Sequence, residues 1–214
     1  MAISSLNNMS VRAGGVNQAL LMPKLAFRYS VTFAGFGGIP AGVNLDLTRQ
    51  LIKFDRPKVS FKPIELPVYN STIKIAGKHE WADITCEIRD DANGSVSTRV
   101  GAQLQAQLDF QEQSSASAAN NYKFTARLDV LDGSNGTTTT PGNNGILETW
   151  VITGCYLKEV NYSSQAMDYA ASEALKIAMT ISFDNAFQSV GGIVGVSNGV
   201  HRQGNLSTSP SPVV

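Results

Sequence analysis

The chain has 214 residues, with 17 basic and 17 acidic side chains and a formal net charge of zero. A chain of that length buries about 70% of its unfolded surface and needs no disulfide or metal staple. Zero net charge argues against a protein that lives by gripping phosphate backbones or anionic membranes. Charged residues make up only 16% of the chain, below the usual quarter, which suits a protein whose faces are covered by neighbours.

The residues up to Met22 are rich in Ser, Asn and Gly and read as an arm. They lack a basic start followed by an apolar core, so no signal peptide is expected, and no apolar run approaches the ~20 residues of a membrane span. The expectation is a soluble product of a cytoplasm. From Leu25 the chain alternates: Leu25, Phe27, Tyr29, Val31 and Phe33 share one side, the period of a half-buried strand. GFGGIPAG (35–42) breaks the pattern and opens an insertion to about Arg49.

Residues 51–62 are extended again, with a change of register at Arg56-Pro57. In PIELPVYNSTIKIAGK (63–78) two prolines lack the amide proton that a central strand must donate. This is a long extended loop or projecting hairpin, whose free backbone is open to pairing with another chain. Residues 81–90 then alternate cleanly, with Ile84, Cys86 and Ile88 inward and Asp83, Thr85, Glu87 and Arg89 outward.

The one clear helix follows. Asn93 or Ser95 caps it, and Val96, Val100, Leu104 and Leu108 form its apolar stripe. Thr98, Arg99, Gln103, Gln105, Gln107 and Gln111 are assigned to its outward face. After a Ser/Ala/Asn linker, Tyr122, Phe124, Ala126, Leu128 and Val130 mark another strand. Residues 132–144 (DGSNGTTTTPGNN) form a polar loop. Residues 147–158 and 175–183 are two further strands, the second with Leu175, Ile177, Met179, Ile181 and Phe183 on one side and Lys176, Thr180 and Ser182 on the other. The pattern predicts about six strands in a mostly-β domain: two packed antiparallel sheets, sandwich- or barrel-like, with one flanking helix. The expected organisation is an N-terminal arm (1–22), a β domain (23–188) and a flexible C-terminal tail (189–214).

Catalytic chemistry is scarce. The two histidines are His79, between Lys78 and Glu80, and His201, in the tail, and neither sits in a nucleophile–base pattern. Nucleotide-binding, zinc-protease and hydrolase motifs are missing. Asp90, Asp91 and Asn93 beside Gly94 echo a calcium loop, but the distal glutamate is missing and a capping turn explains them better. Cys86 and Cys155 both have inward parity and read as buried free thiols. No catalytic residue, cofactor or metal ligand is therefore assigned, and the expectation is a structural or binding protein.

The order of features carries a resemblance. PKLAFRYSVTF (23–33) opens the domain, FDRPKVSFKPIELP (54–67) leads into the extended arm, and IKIAGKHEWADITCEIRDD (73–91) precedes the helix. GCYLKEVNYSSQAMDYAASEALKIAMTISFD (154–184) closes it. This succession, with its G-K-x-x-W-x-D-I-x-C-x-I and late G-x-x-L-K-E-V, resembles the tail tube proteins of contractile-tailed bacteriophages over about 23–187. The resemblance implies two roughly orthogonal sheets and hexameric rings stacked into a hollow tube, the conduit for DNA ejection inside a contractile sheath. It implies that Pro63, Ile64, Glu65, Leu66, Pro67, Val68, Tyr69, Ile73, Lys74, Ile75 and Lys78 form an arm reaching the adjacent ring. It places the helix, about 95–111, toward the sheath. The lumen candidates are Asp83, Thr85, Glu87, Arg89, Lys176, Thr180 and Ser182. The implied partners are further copies of the chain, the sheath protein, baseplate and tail terminator proteins, and phage DNA passing without sequence-specific binding; no membrane anchoring is implied. The implied location is the virion, after assembly in the host bacterial cytoplasm. Two alternatives stand beside this: the tube protein of a type VI secretion or bacteriocin-like injector, and a carbohydrate-binding β-sandwich. The latter would want exposed aromatics in a groove, which Trp81 and Trp150 do not obviously supply.

Overall fold

The structure is a computed structural model that describes residues 12–13, 16–17, 24–38, 45–132, 145–162, 167–170 and 172–190. Within the expected N-terminal arm, β1 (Arg12–Ala13) pairs antiparallel with β2 (Val16–Asn17). The rest of that arm up to Met22, the loop 133–144 and the tail beyond Val190 lie outside the described residues.

The main body is an antiparallel network of seven strands: β3 (Tyr29–Ala34), β4 (Leu51–Phe54), β7 (Ile84–Arg89), β8 (Phe124–Leu131), β9 (Ile146–Asn161), β10 (Lys176–Ser182) and β11 (Asn185–Val190). Strand β9 is long enough to serve two sheets. Its first half pairs with β8 and β11, giving the order β3-β8-β9-β11. Its second half pairs with β10, giving β9-β10-β7-β4. The two expected antiparallel sheets are thus present, joined at a corner in β9.

Gly154 makes the corner possible. Its φ is +71°, and a Cβ there would lie 2.1 Å from Asp184 Oδ2. Such a backbone angle is nearly free for glycine and costly for other residues. Opposite it, Phe183 and Asp184 interrupt the long strand that would otherwise join β10 to β11. The Asp184 amide donates to the Thr153 carbonyl, and the Asp184 carboxylate pairs with Lys123 at 2.6 Å.

Alternation explains the core. Val31 and Phe33 of β3, Ile84, Cys86 and Ile88 of β7, Phe124, Ala126 and Leu128 of β8, and Ile177, Met179 and Ile181 of β10 all lie buried between the sheets. Phe33, Phe36 and Phe124 meet with ring centroids 4.9–6.1 Å apart, the tilted and edge-on contacts aromatic rings favour.

Several expectations need correction. Leu25 to Arg28 is a turn, closed by Arg28 N–H to the Leu25 carbonyl, and Phe27 is exposed. The supposed insertion contributes to the core: a 3-10 turn at Phe36–Gly38 and helix α1 (Leu45–Gln50) bury Phe36 and Leu47. Strand β11 had no counterpart in the sequence reading. Helix α2 (Ser95–Gln107) is capped by neither Asn93 nor Ser95; its N-cap is Gly94. Asp91 supplies the side-chain acceptor, taking the Val96 N–H at 3.1 Å and the Ser95 hydroxyl at 2.6 Å. The helix ends at Gln107, so Gln111 lies beyond it in an exposed turn.

Candidate functional site: assembly surfaces

Strands β5 (Val59–Val68) and β6 (Ser71–Trp81) form a two-stranded hairpin that pairs only with itself among the described strands. It is longer at both ends than the expected arm. Pro63 and Pro67 are accommodated because each sits on a strand with only one partner. Two residues turn the hairpin, with Tyr69 at φ +53° and fully exposed. Gly77 provides a bulge: a Cβ there would come 2.4 Å from the Lys62 carbonyl oxygen.

The distal half of the hairpin is amphipathic. The register sets Ile64 opposite Ile75, and Leu66 opposite Ile73, with Val68 next on the same face. These five side chains are 45–53% exposed. The other face carries Pro63, Pro67, Thr72 and the ion pair Glu65–Lys74 at 3.2 Å. The structure therefore brings ten of the eleven arm residues together on one projection, with Lys78 at its base. Burying the remaining half of five aliphatic side chains would contribute about 5 kcal/mol. A two-stranded ribbon is at best marginal alone, so this one is anchored at its base. Phe61 lies near His79, His79 edge-on to Trp81, and Trp81 against Phe183, with centroids 5.6–6.4 Å apart.

A second anchor was not legible in the sequence. Glu148 of β9, whose side chain is 2% exposed, pairs with both Lys24 and Arg56. It also accepts hydrogen bonds from Trp150 Nε1 and Gln188 Nε2. Burial by itself would raise the pKa of this carboxyl; hydrogen bonds from Lys24, Trp150 and Arg56 and the charge of Arg56 hold it down at about 2. Arg56 lies in the link between β4 and β5, so the cluster ties the hairpin's approach to the sheet.

The outer face of the β9-β10-β7-β4 sheet gathers the polar strand residues. Thr85 faces Thr180, Glu87 faces Ala178, and Arg89 faces Lys176. Asp83 precedes β7 rather than lying in it, and its carboxylate meets Lys158 at 2.5 Å. That hydrogen bond holds the Asp83 carboxyl below the ordinary range against partial burial, and Ser182 adds a second. All seven named residues thus belong to one face or its rim, where Lys53 and Glu159 join them. The surface is of mixed sign.

The helix face divides. Thr98 and Gln105 are exposed, and Arg99 is half-buried. Gln103 is 1% exposed and turns inward, accepting the Gly37 N–H at 3.0 Å and donating to the Tyr122 carbonyl at 2.6 Å. Gln107 also turns inward: its amide accepts the Leu157 N–H and donates to the Leu157 carbonyl, both at 2.9 Å. It stands in for a neighbouring strand at the edge of β9. An outward assignment of Gln103 and Gln107 is therefore wrong, because each amide satisfies backbone groups that would otherwise be buried without partners.

Cys86 and Cys155 are buried free thiols. Burial pushes both upward, Cys155 to about 12. Trp150 is buried against Glu148 and Trp81 is half-buried at the hairpin base, so neither offers a sugar-stacking face. Among the described residues, no group of His, Cys, Asp and Glu is arranged to hold a metal, and no helix is long and apolar enough to cross a membrane.

Neither a family model nor a curated protein sequence matches the chain. Solved structures do. A chain of the anti-feeding prophage baseplate superposes with TM-score 0.57 at 10% identity, covering 80% of this chain and 99% of that one. A chain of the sheath/tube terminator of an extracellular contractile injection system gives 0.56 at 13%, covering 80% and 100%. A chain of the anti-feeding prophage's tube-terminating cap gives 0.55 at 14%, covering 84% and 99%. At such identities the likeness is one of fold. The two antiparallel sheets and flanking helix of this chain make a fold similar to tail tube folds, as found in these components of contractile injection particles.

Proposed function

We propose that this chain is a structural, non-catalytic protein that forms the inner tube of a contractile-tailed phage. Hexameric rings close side by side through the edges of the β9-β10-β7-β4 sheet, whose polar face lines the lumen. The rings stack through the β5–β6 hairpin, and α2 lies outside, toward the sheath. Mixed charge in the lumen lets DNA pass without a counterion-release trap. The tube meets baseplate and terminator proteins at its two ends and belongs to the virion after assembly in the host cytoplasm.

The observation that carries this reading is the hairpin: five aliphatic side chains half-exposed on one face of a projection that pairs with no other strand among the described residues. Exposed apolar area of this kind marks an interaction surface. A second reading, the tube or terminator protein of an extracellular contractile injector, is favoured by the particles in which the similar folds occur. It shares the ring and the stacking.

Negative-stain electron microscopy of the purified protein tests the proposal. Deleting 66–75 leaves a folded domain and rings but no long tubes. Long tubes from that deletion would overturn the stacking role of the hairpin.

A further inference from the structure

The two sides of the domain differ. One is closed by the corner of β9 with β10 and β11. The other, between edge strands β3 and β4, has no strand across it among the described residues and is bridged by the Tyr29 hydroxyl donating to the Ile52 carbonyl at 2.7 Å. A cleft of about 370 Å³ lies there. Four cations line it, Lys24, Arg28, Lys53 and Arg56, over an apolar floor that includes Ile52 and Leu128. A neighbouring cavity of about 560 Å³ adds Arg89. Glu148 engages Lys24 and Arg56 from below, showing that carboxylates suit this ground. The Arg28 guanidinium donates to the Asp132 carbonyl at 2.5 Å.

A complementary segment lies across the molecule, in the connection from β9 to β10. Met167 and Tyr169 are 86% and 111% exposed, with Asp168 between them and Glu173 following. Residues 161–175 contain two acids and no base. This connection leaves the sheet at the end where Lys176 faces Arg89 and Leu51 faces Ile88. The cavity that adjoins the cleft borders Leu51 and Arg89, at that same end but at the opposite edge of the sheet, and the cleft continues from it along β4 beside Ile52, Lys53 and Phe54. Copies set side by side through sheet edges, a head-to-tail contact that closes into a ring, therefore bring the connection of one copy level with the cavity through which the cleft of the next is entered.

We propose that residues 167–170 of one copy dock into the cation-lined cleft between β3 and β4 of its neighbour. Tyr169 and Met167 lie on the apolar floor and Asp168 faces Arg28. The contact has the usual anatomy of an aromatic anchor with a polar rim. It sets the direction of ring closure, since the cleft of one copy meets the corner side of the next. This inference rests on the ring reading above.

The test uses the full chain and measures the fraction in rings by sedimentation velocity and negative-stain microscopy at low and high salt. Asp168→Lys and Arg28→Glu each lower that fraction about tenfold through like-charge contact, and the two together restore it. Tyr169→Ser, at a fully exposed position that cannot disturb the monomer core, lowers it similarly without changing the melting temperature. Rings unchanged in Asp168→Lys and Tyr169→Ser would overturn the docking while leaving the ring reading intact. Loss in both single charge variants without rescue in the pair would also overturn it. Wild-type protein that stays monomeric at every concentration would overturn the docking together with the ring reading.

Discussion

Replacing Glu148 by glutamine keeps the shape of the side chain and removes its charge. The Trp150 indole retains an acceptor, whereas Lys24 and Arg56 lose a carboxylate. The carboxyl pKa lies at about 2 against an ordinary 4.5, and each unit of difference is worth about 1.4 kcal/mol, so the charged state contributes about 3 kcal/mol. The Lys24 and Arg56 side chains are 48% and 58% exposed, so water screens part of this and about 2 kcal/mol is the expected loss. The folded-state pKa is depressed, so the stabilisation is fully present above the unfolded pKa and is lost as pH falls through the window from about 4.5 to 2. Urea denaturation of wild type and Glu148→Gln across this range reads the difference. The gap of about 2 kcal/mol at neutral pH should shrink to below about 0.5 kcal/mol near pH 2. Asp83 and the other carboxyls with lowered pKa titrate in both proteins and cancel. A gap that stays constant down to the lowest pH would refute the electrostatic account and leave only packing.

Gly154→Ala should lower stability by about 3 kcal/mol or more, because the new methyl meets Asp184 and the left-handed backbone is strained; a melting curve like that of wild type would show that the corner relaxes freely. Gln107→Ala removes two hydrogen bonds and uncovers the edge of β9, for an expected cost of about 2 kcal/mol in denaturant titration. Gln107→Leu, which fills the space without pairing, should not rescue it. Cys86 and Cys155 should resist a thiol reagent at pH about 8 until the protein unfolds, since burial holds both thiols protonated; rapid native labelling would contradict the burial.

Much of the fold was written in local periodicity. A side chain that alternates in or out along a strand needs no knowledge of its partner, so Ile84, Cys86, Ile88, Ile177, Met179 and Ile181 could be placed in the core, and Thr85, Glu87, Arg89 and Thr180 on the opposite face, from spacing alone. Two prolines four residues apart likewise marked a strand with a free edge, and the hairpin followed. The apolar stripe of α2 was readable for the same reason, although only Val96 and Val100 are fully buried.

Tertiary structure decided whatever depends on a partner far along the chain. Gln103 and Gln107 are polar and sit beside residues of the outward face, yet backbone groups at Gly37, Tyr122 and Leu157 draw them inward. Glu148 shares its strand parity with buried Trp150 and Ile152, so spacing sets a carboxylate on an apolar side without saying what neutralises it; Lys24 and Arg56, more than ninety positions away, make its burial tolerable. Phe36 and Leu47 flank a glycine-rich stretch whose composition speaks of a loop, and only packing against distant elements, Phe36 on Phe124 and α1 on β3 and α2, turns them into core. Gly154 reads as an ordinary weakness in a strand until Asp184 comes to lie against it. Periodicity reports which side of an element is apolar, whereas hydrogen bonds, ion pairs and corners are set by residues that meet only after the chain has folded.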